Sequence, residues 1–131
     1  MALFSLFSAR KQLIKVITLV SPYLRACYGD RNSYSIDQVN IGLDRCGLLG
    51  DKAAEQAYAI FVEEKEFNAW VRAKQLSLSY QRIRRQIRER LNLSPEQALT
   101  TQYLYQYANE FGPRGANWDS QWKLPWPQRR R

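Results

Sequence analysis

The stretch Ser79–Leu91, reading SYQRIRRQIRERL, constrains the fold more than any other part of the chain. Tyr80, Ile83, Ile87 and Leu91 recur at three- and four-residue intervals, which on a helix makes one narrow apolar stripe. Five of the remaining positions are arginine: Arg82, Arg84, Arg85, Arg88 and Arg90. Such a helix buries one edge in a core and presents guanidinium groups over most of its other surface. It belongs on the outside of a small helical fold.

The rest of the chain reads the same way. Leu3, Leu6, Phe7, Leu13, Ile14, Ile17, Val20, Leu24 and Tyr28 follow a helical stripe, interrupted at Ser21-Pro22. Because proline lacks an N–H, the helix is expected to kink there, or to restart with Ser21 as N-cap. Ser35-Ile36-Asp37-Gln38 is a capping box and predicts a helix with Ile36, Val39, Leu43 and Cys46 inward, closing at Gly47. Asp51 is expected to cap the next helix, with Ala54, Ala57, Tyr58, Ile60 and Phe61 buried. Glu63-Glu64-Lys65-Glu66 is an acidic first turn for a helix carrying Phe67 and Trp70. Ser94-Pro95-Glu96-Gln97 predicts a last helix, whose aromatic face holds Tyr103, Leu104, Tyr107, Ala108 and Phe111. Gly112-Pro113 stops it. The expected architecture is all-α: one orthogonal bundle of five to six helices over residues 1–112, and an extended arm over 113–131.

Trp118, Trp122 and Trp126 punctuate that arm at four-residue spacing, but Pro125 and Pro127 forbid a helix through the last of them. The arm also carries Arg114, Lys123 and the triplet Arg129-Arg130-Arg131. Trp with Lys and Arg is a composition suited to base stacking and phosphate contact. Packing of the tryptophans onto Tyr103 and Tyr107 is the structural alternative. An arginine triplet at a chain end is ordered only when something holds it, so membership of a larger assembly is expected.

Net charge is +8, and it is unevenly spread. Residues 30–66 hold eight acids against four bases, whereas residues 67–131 hold twelve bases against four acids. A one-signed patch raises the local concentration of an oppositely charged partner, which favours nucleic acid, an acidic protein face or an anionic membrane. Pairing of the arginines with Glu55 and Glu63–Glu66 would cancel part of that patch.

The chain has no histidine, which removes the commonest general base at neutral pH and any Ser–His or Cys–His nucleophile. Glu63, Glu64 and Glu66 read as a helix start rather than a catalytic carboxylate set. No phosphate-cradling glycine motif occurs, and two cysteines without histidine do not make a structural zinc site. Catalysis, cofactor and metal are therefore not expected. Residues 51–61 are too acidic for a DNA-recognition helix, and Cys46 and Leu48 fall where a calcium loop needs oxygen ligands. Cys27 and Cys46 each fall on an apolar helical stripe and are expected to be buried thiols of a reducing cytoplasm. Met1–Ala9 is apolar, but Arg10, Lys11 and Lys15 follow too soon for a membrane span and in the wrong order for a signal peptide.

Between about Pro22 and Ile87 the chain resembles a family of small bacterial helical proteins of unknown function. The residues that carry the resemblance are Tyr28-Gly29, Tyr34 with Gln38-Val39, Gly47-Leu48, Tyr58-Ala59-Ile60-Phe61, Phe67, and Tyr80 with Arg84. It implies a compact helical fold in a bacterial cytoplasm and brings no activity, cofactor or site; the Trp-bearing arm lies outside it.

The functional expectation is a non-enzymatic basic accessory protein that docks on a polyanion, RNA or the ribosome ahead of DNA. Its contact residues would be Arg82, Arg84, Arg85, Arg88, Arg90, Trp118, Trp122, Lys123, Trp126, Arg129, Arg130 and Arg131. The alternative is a protein–protein adaptor or inhibitor that uses the Trp arm and the N-terminal apolar helix. Residues 2–20 are a further candidate for peripheral membrane contact.

Overall fold

The computed structural model describes residues 2–48 and 50–111, with side chains from Ala9 onward. Among the described residues all regular structure is helical. Helix α1 (Ala2–Lys15) runs through a π-helical turn (Val16–Val20) into α2 (Ser21–Tyr28). Then come α3 (Ile36–Arg45), α4 (Asp51–Phe61), α5 (Glu64–Ala73), α6 (Tyr80–Arg90) and α7 (Thr101–Phe111).

The Ser21-Pro22 interruption is resolved without a break. Lys15 and Ser21, on either side of the π turn, both keep right-handed helical dihedrals, and no side chain caps α2. A wider turn relieves the clash between a proline ring and the carbonyl four residues before it, so the chain stays helical across Pro22. Restart with Ser21 as N-cap does not occur. The stripe keeps its phase through the turn: Leu13, Val16, Ile17, Val20 and Leu24 are all fully buried.

Helix α4 lies at the centre. Every residue from Gln56 to Phe61 is buried, the pattern of a helix covered on all sides. Helices α3, α5 and α6 pack on it, as does the π turn, which α7 also covers. An aromatic cluster ties three of these elements together. Trp70 meets Tyr58 edge-on at 4.9 Å, and Phe67 sits 5.6 Å from Trp70 and 5.3 Å from Tyr80. Arg25 bridges the other side, its guanidinium 4.3 Å from the centre of the Tyr105 ring and 3.7 Å from Asp30.

Helix ends follow local chemistry, with two departures from expectation. Ser35 and Gln38 form the full reciprocal capping box of α3. At its other end Gly47 takes φ 72°, and the amides of Gly47 and Leu48 reach back to the carbonyls of Asp44 and Leu43. That is a Schellman stop, in which a left-handed residue turns the chain off the helix. Asn92 (φ 57°) repeats the same pair of bonds after α6. Asp51 does not cap α4, however; Gly50 holds the cap position and Asp51 is the first helical residue. Nor does Ser94 open the last helix. Its hydroxyl bonds Glu96 within a tight turn, and the chain then runs non-helically to Thr100, whose Oγ1 accepts the Tyr103 amide at 3.0 Å. The capping signal at Ser94 was outcompeted by tertiary bonds to the carbonyls of residues 97 and 99, described below.

Cys27 and Cys46 are half-buried and not bridged. The Cys46 thiol points at the Leu19 carbonyl, 3.6 Å away. Burial, and secondarily the nearby Cys27, pushes that thiol up to about 12.

Candidate functional site

Helix α6 meets the core through its expected stripe. Ile87 and Leu91 are buried, and Tyr80 and Ile83 are half-buried. Ser79 caps it by accepting the Arg82 amide at 3.2 Å. The five arginines then divide by face.

Arg84 and Arg88 flank the stripe and turn inward. The Arg84 guanidinium donates to the Ala59 carbonyl (2.9 Å), the Tyr80 hydroxyl (3.2 Å) and the Leu99 carbonyl (3.1 Å). Its carbon lies 5.0 Å from the centre of the Tyr80 ring. Arg88 donates from Nε to the Gln97 carbonyl at 2.7 Å. Both arginines thus bind backbone that helices leave open, and together they strap the non-helical run 93–100 onto α6. Arg90 is half-buried, and its own carbonyl accepts the guanidinium of Arg10, joining the end of α6 to α1. A cation at a helix C-terminus is favourable there.

Arg82 and Arg85 are exposed, and neither has an ion-pair partner among the described residues. Two of the acids expected to pair with the arginines are bonded elsewhere. Glu66 accepts the Ile36 amide at the start of α3 (3.0 Å), and Glu64 accepts from Gln81 (3.2 Å). Of the twelve residues expected to form the contact surface, two are therefore outward cations. Arg84 and Arg88 are engaged internally, Arg90 is half-buried with its main-chain carbonyl bonded to Arg10, and Trp118, Trp122, Lys123, Trp126, Arg129, Arg130 and Arg131 lie outside the described residues.

Beside Arg84 the packing leaves a cleft of about 300 Å³, lined in part by Glu63, Glu64, Tyr80, Arg84, Thr100 and Gln102. Ile60 and Leu99 contribute an apolar part of its wall. Desolvation lowers the pKa of Arg84, with neighbouring Arg88 acting in the same direction and Tyr80 and Glu64 opposing. The Tyr80 hydroxyl is raised by burial, eased by Arg84 and pushed further by Glu64 and Glu63. One hydroxyl thus senses a cation and two carboxylates at once. Sequence reading placed Glu63 and Glu64 at a helix start and Arg84 on a basic face. It offered pairing of the arginines with these carboxylates, but gave no sign that Glu63, Glu64 and Arg84 would line one cleft without pairing.

Several positions that carried the family resemblance now have physical roles. Tyr34 donates its hydroxyl to the Gly29 carbonyl (2.6 Å) and its amide to the Phe61 carbonyl (2.8 Å), locking the α2–α3 loop onto the end of α4. Gln38 completes the capping box, Gly47 the Schellman stop, and Tyr80 with Arg84 the wall of the cleft. A family profile matches residues 4–123 of the chain. The protein belongs to that family, a family of unknown function (DUF6559). The match is wider than the resemblance between Pro22 and Ile87, and it takes in Trp118, Trp122 and Lys123. The first part of that segment therefore falls within the length that the family profile covers. No curated protein and no solved structure matches the chain.

Proposed function

We propose that this member of the family is a non-enzymatic docking protein for a polyanion, with RNA preferred to DNA. The observation that carries the reading is the pair Arg82 and Arg85, exposed on α6 without carboxylate partners among the described residues. Arginine offers phosphate a planar two-pronged contact and stacks on bases. The sequence adds Trp118, Trp122, Trp126, Lys123 and Arg129–Arg131 beyond α7, a composition that suits unpaired RNA more than duplex DNA. The absence of histidine from the sequence argues for binding rather than catalysis.

Fluorescence anisotropy with single-stranded RNA tests this. Binding is expected to fall steeply between about 50 and 300 mM salt. Joint replacement of Arg82→Ala and Arg85→Ala should reduce the log–log salt slope by roughly 1.4, about 0.7 per lost phosphate contact. Retention that is indifferent to salt would count against the proposal.

A protein–protein adaptor is the second reading, favoured by Phe111. This ring is 60% exposed at the last residue of α7, tilted against Tyr107 at 4.5 Å and next in sequence to the Trp-bearing segment. Deletion of 114–131 separates the two. Loss of a protein partner with RNA binding intact supports the adaptor.

A further inference from the structure

The cleft beside Arg84 has a charge layout of its own. Arg84, Glu63 and Glu64 all line it, and Tyr80 contributes a hydroxyl that responds to all three. Arg84 is a half-buried cation whose hydrogen bonds go to neutral oxygens: the carbonyls of Ala59 and Leu99 and the Tyr80 hydroxyl. No carboxylate lies within ion-pair distance of it among the described residues. A guanidinium has five N–H donors, so three bonds leave two for a ligand. Thr100, with Oγ1 accepting from the Tyr103 amide, keeps its hydroxyl proton free to donate into the same space. Glu63 has neither ion-pair nor hydrogen-bond partner for its carboxylate among the described residues, and Glu64 uses one oxygen on Gln81.

These charges select the ligand. A simple anion would meet Arg84 but be repelled by Glu63 and Glu64; a simple cation would meet the reverse. A molecule with both charges a few bonds apart meets the cation and the carboxylates at once. A volume near 300 Å³ is at the lower end of small-molecule sites and holds something the size of an amino acid. We propose that the cleft between α5, α6 and the 97–102 segment binds a small zwitterion of the α-amino-acid class. Its carboxylate would take the open Arg84 donors and its ammonium the Glu63 and Glu64 carboxylates, with its side chain against Ile60 and Leu99. The proposal is independent of the polyanion reading, because neither Arg82 nor Arg85 lines the cleft.

The test uses the full-length protein and heteronuclear NMR titration with each common amino acid, alongside propionate and ethylammonium as half-ligands. At least one amino acid is expected to bind with millimolar or better affinity and to shift the resonances of Tyr80, Arg84 and Thr100. Each half-ligand should bind about tenfold more weakly or worse, since it forfeits one charged contact. Glu63→Gln with Glu64→Gln changes exposed groups and should leave the fold intact. It should weaken the amino acid by about tenfold while leaving propionate no weaker. The proposal is overturned if no amino acid shifts those resonances at concentrations on the order of 10 mM, or if the half-ligands match the zwitterion. An amino-acid affinity unchanged in the double variant would overturn it equally.

Discussion

At the scale of single residues, chemically identical arginines one position apart have opposite fates. Arg84 closes the backbone of α4 and the 97–99 run, while Arg85 reaches solvent. Replacement of Arg84 by Ala removes a charged donor from three oxygens and leaves the Ala59 and Leu99 carbonyls without that partner. Hydrogen bonds to charged groups contribute about 1.5–3 kcal/mol, so Arg84→Ala should lower stability in urea unfolding by about that amount. Arg82→Ala, at an exposed position, should stay within about 0.5 kcal/mol. Equal losses would mean that the inward bonds of Arg84 do not matter to the fold.

At the scale of helices, the start of α7 shows how a tertiary contact overrides a local signal. Ser94-Pro95-Glu96-Gln97 has the residues of a helix start. Arg88 and Arg84 nevertheless draw the carbonyls of Gln97 and Leu99 towards α6, and a helix beginning at Pro95 would turn those groups to its own ladder. The helix begins six residues later than Pro95, under Thr100. Thr100→Ala is therefore expected to cost about 1 kcal/mol, the usual value of an N-cap. Ser94→Ala should change stability by less than about 0.5 kcal/mol. Thermal melts followed by circular dichroism distinguish the two; the opposite ranking would return the cap to Ser94.

At the scale of the whole molecule, the absence of histidine and the number of buried phenols set the pH response. Cys46 is raised from 9.0 to about 12, and Tyr34, Tyr58, Tyr80 and Tyr107 are all raised, in each case chiefly by burial. For an acid whose folded pKa lies above its unfolded value, the unfolded state releases the proton first. Stability is then lost as pH rises past the unfolded value. Melting temperature should accordingly fall steadily from about pH 9 to pH 12, and each such group contributes up to about 1.4 kcal/mol per pH unit. A flat profile over that range would contradict the burial of these groups.

Much of this fold was legible from residue order. Helical periodicity identified the stripes Leu13–Leu24, Val39–Leu43 and Ile83–Leu91, and the capping box at Ser35 and the glycine stop at Gly47 are local bonds between near neighbours. Such features depend on contacts three to five residues apart, so a linear reading reaches them. The π turn before Pro22 was half visible, because proline announces a conflict but not which neighbouring turn will absorb it. The division of the five arginines was not visible, and the nearness of Glu63 and Glu64 to Arg84 was legible only as a possible pairing of opposite charges. The backbone oxygens that claim Arg84 come from positions 25 residues before it and 15 after it. Periodicity along one helix says which face is polar, but which polar group meets a long-range carbonyl, a carboxylate or water depends on how the other helices pack around it.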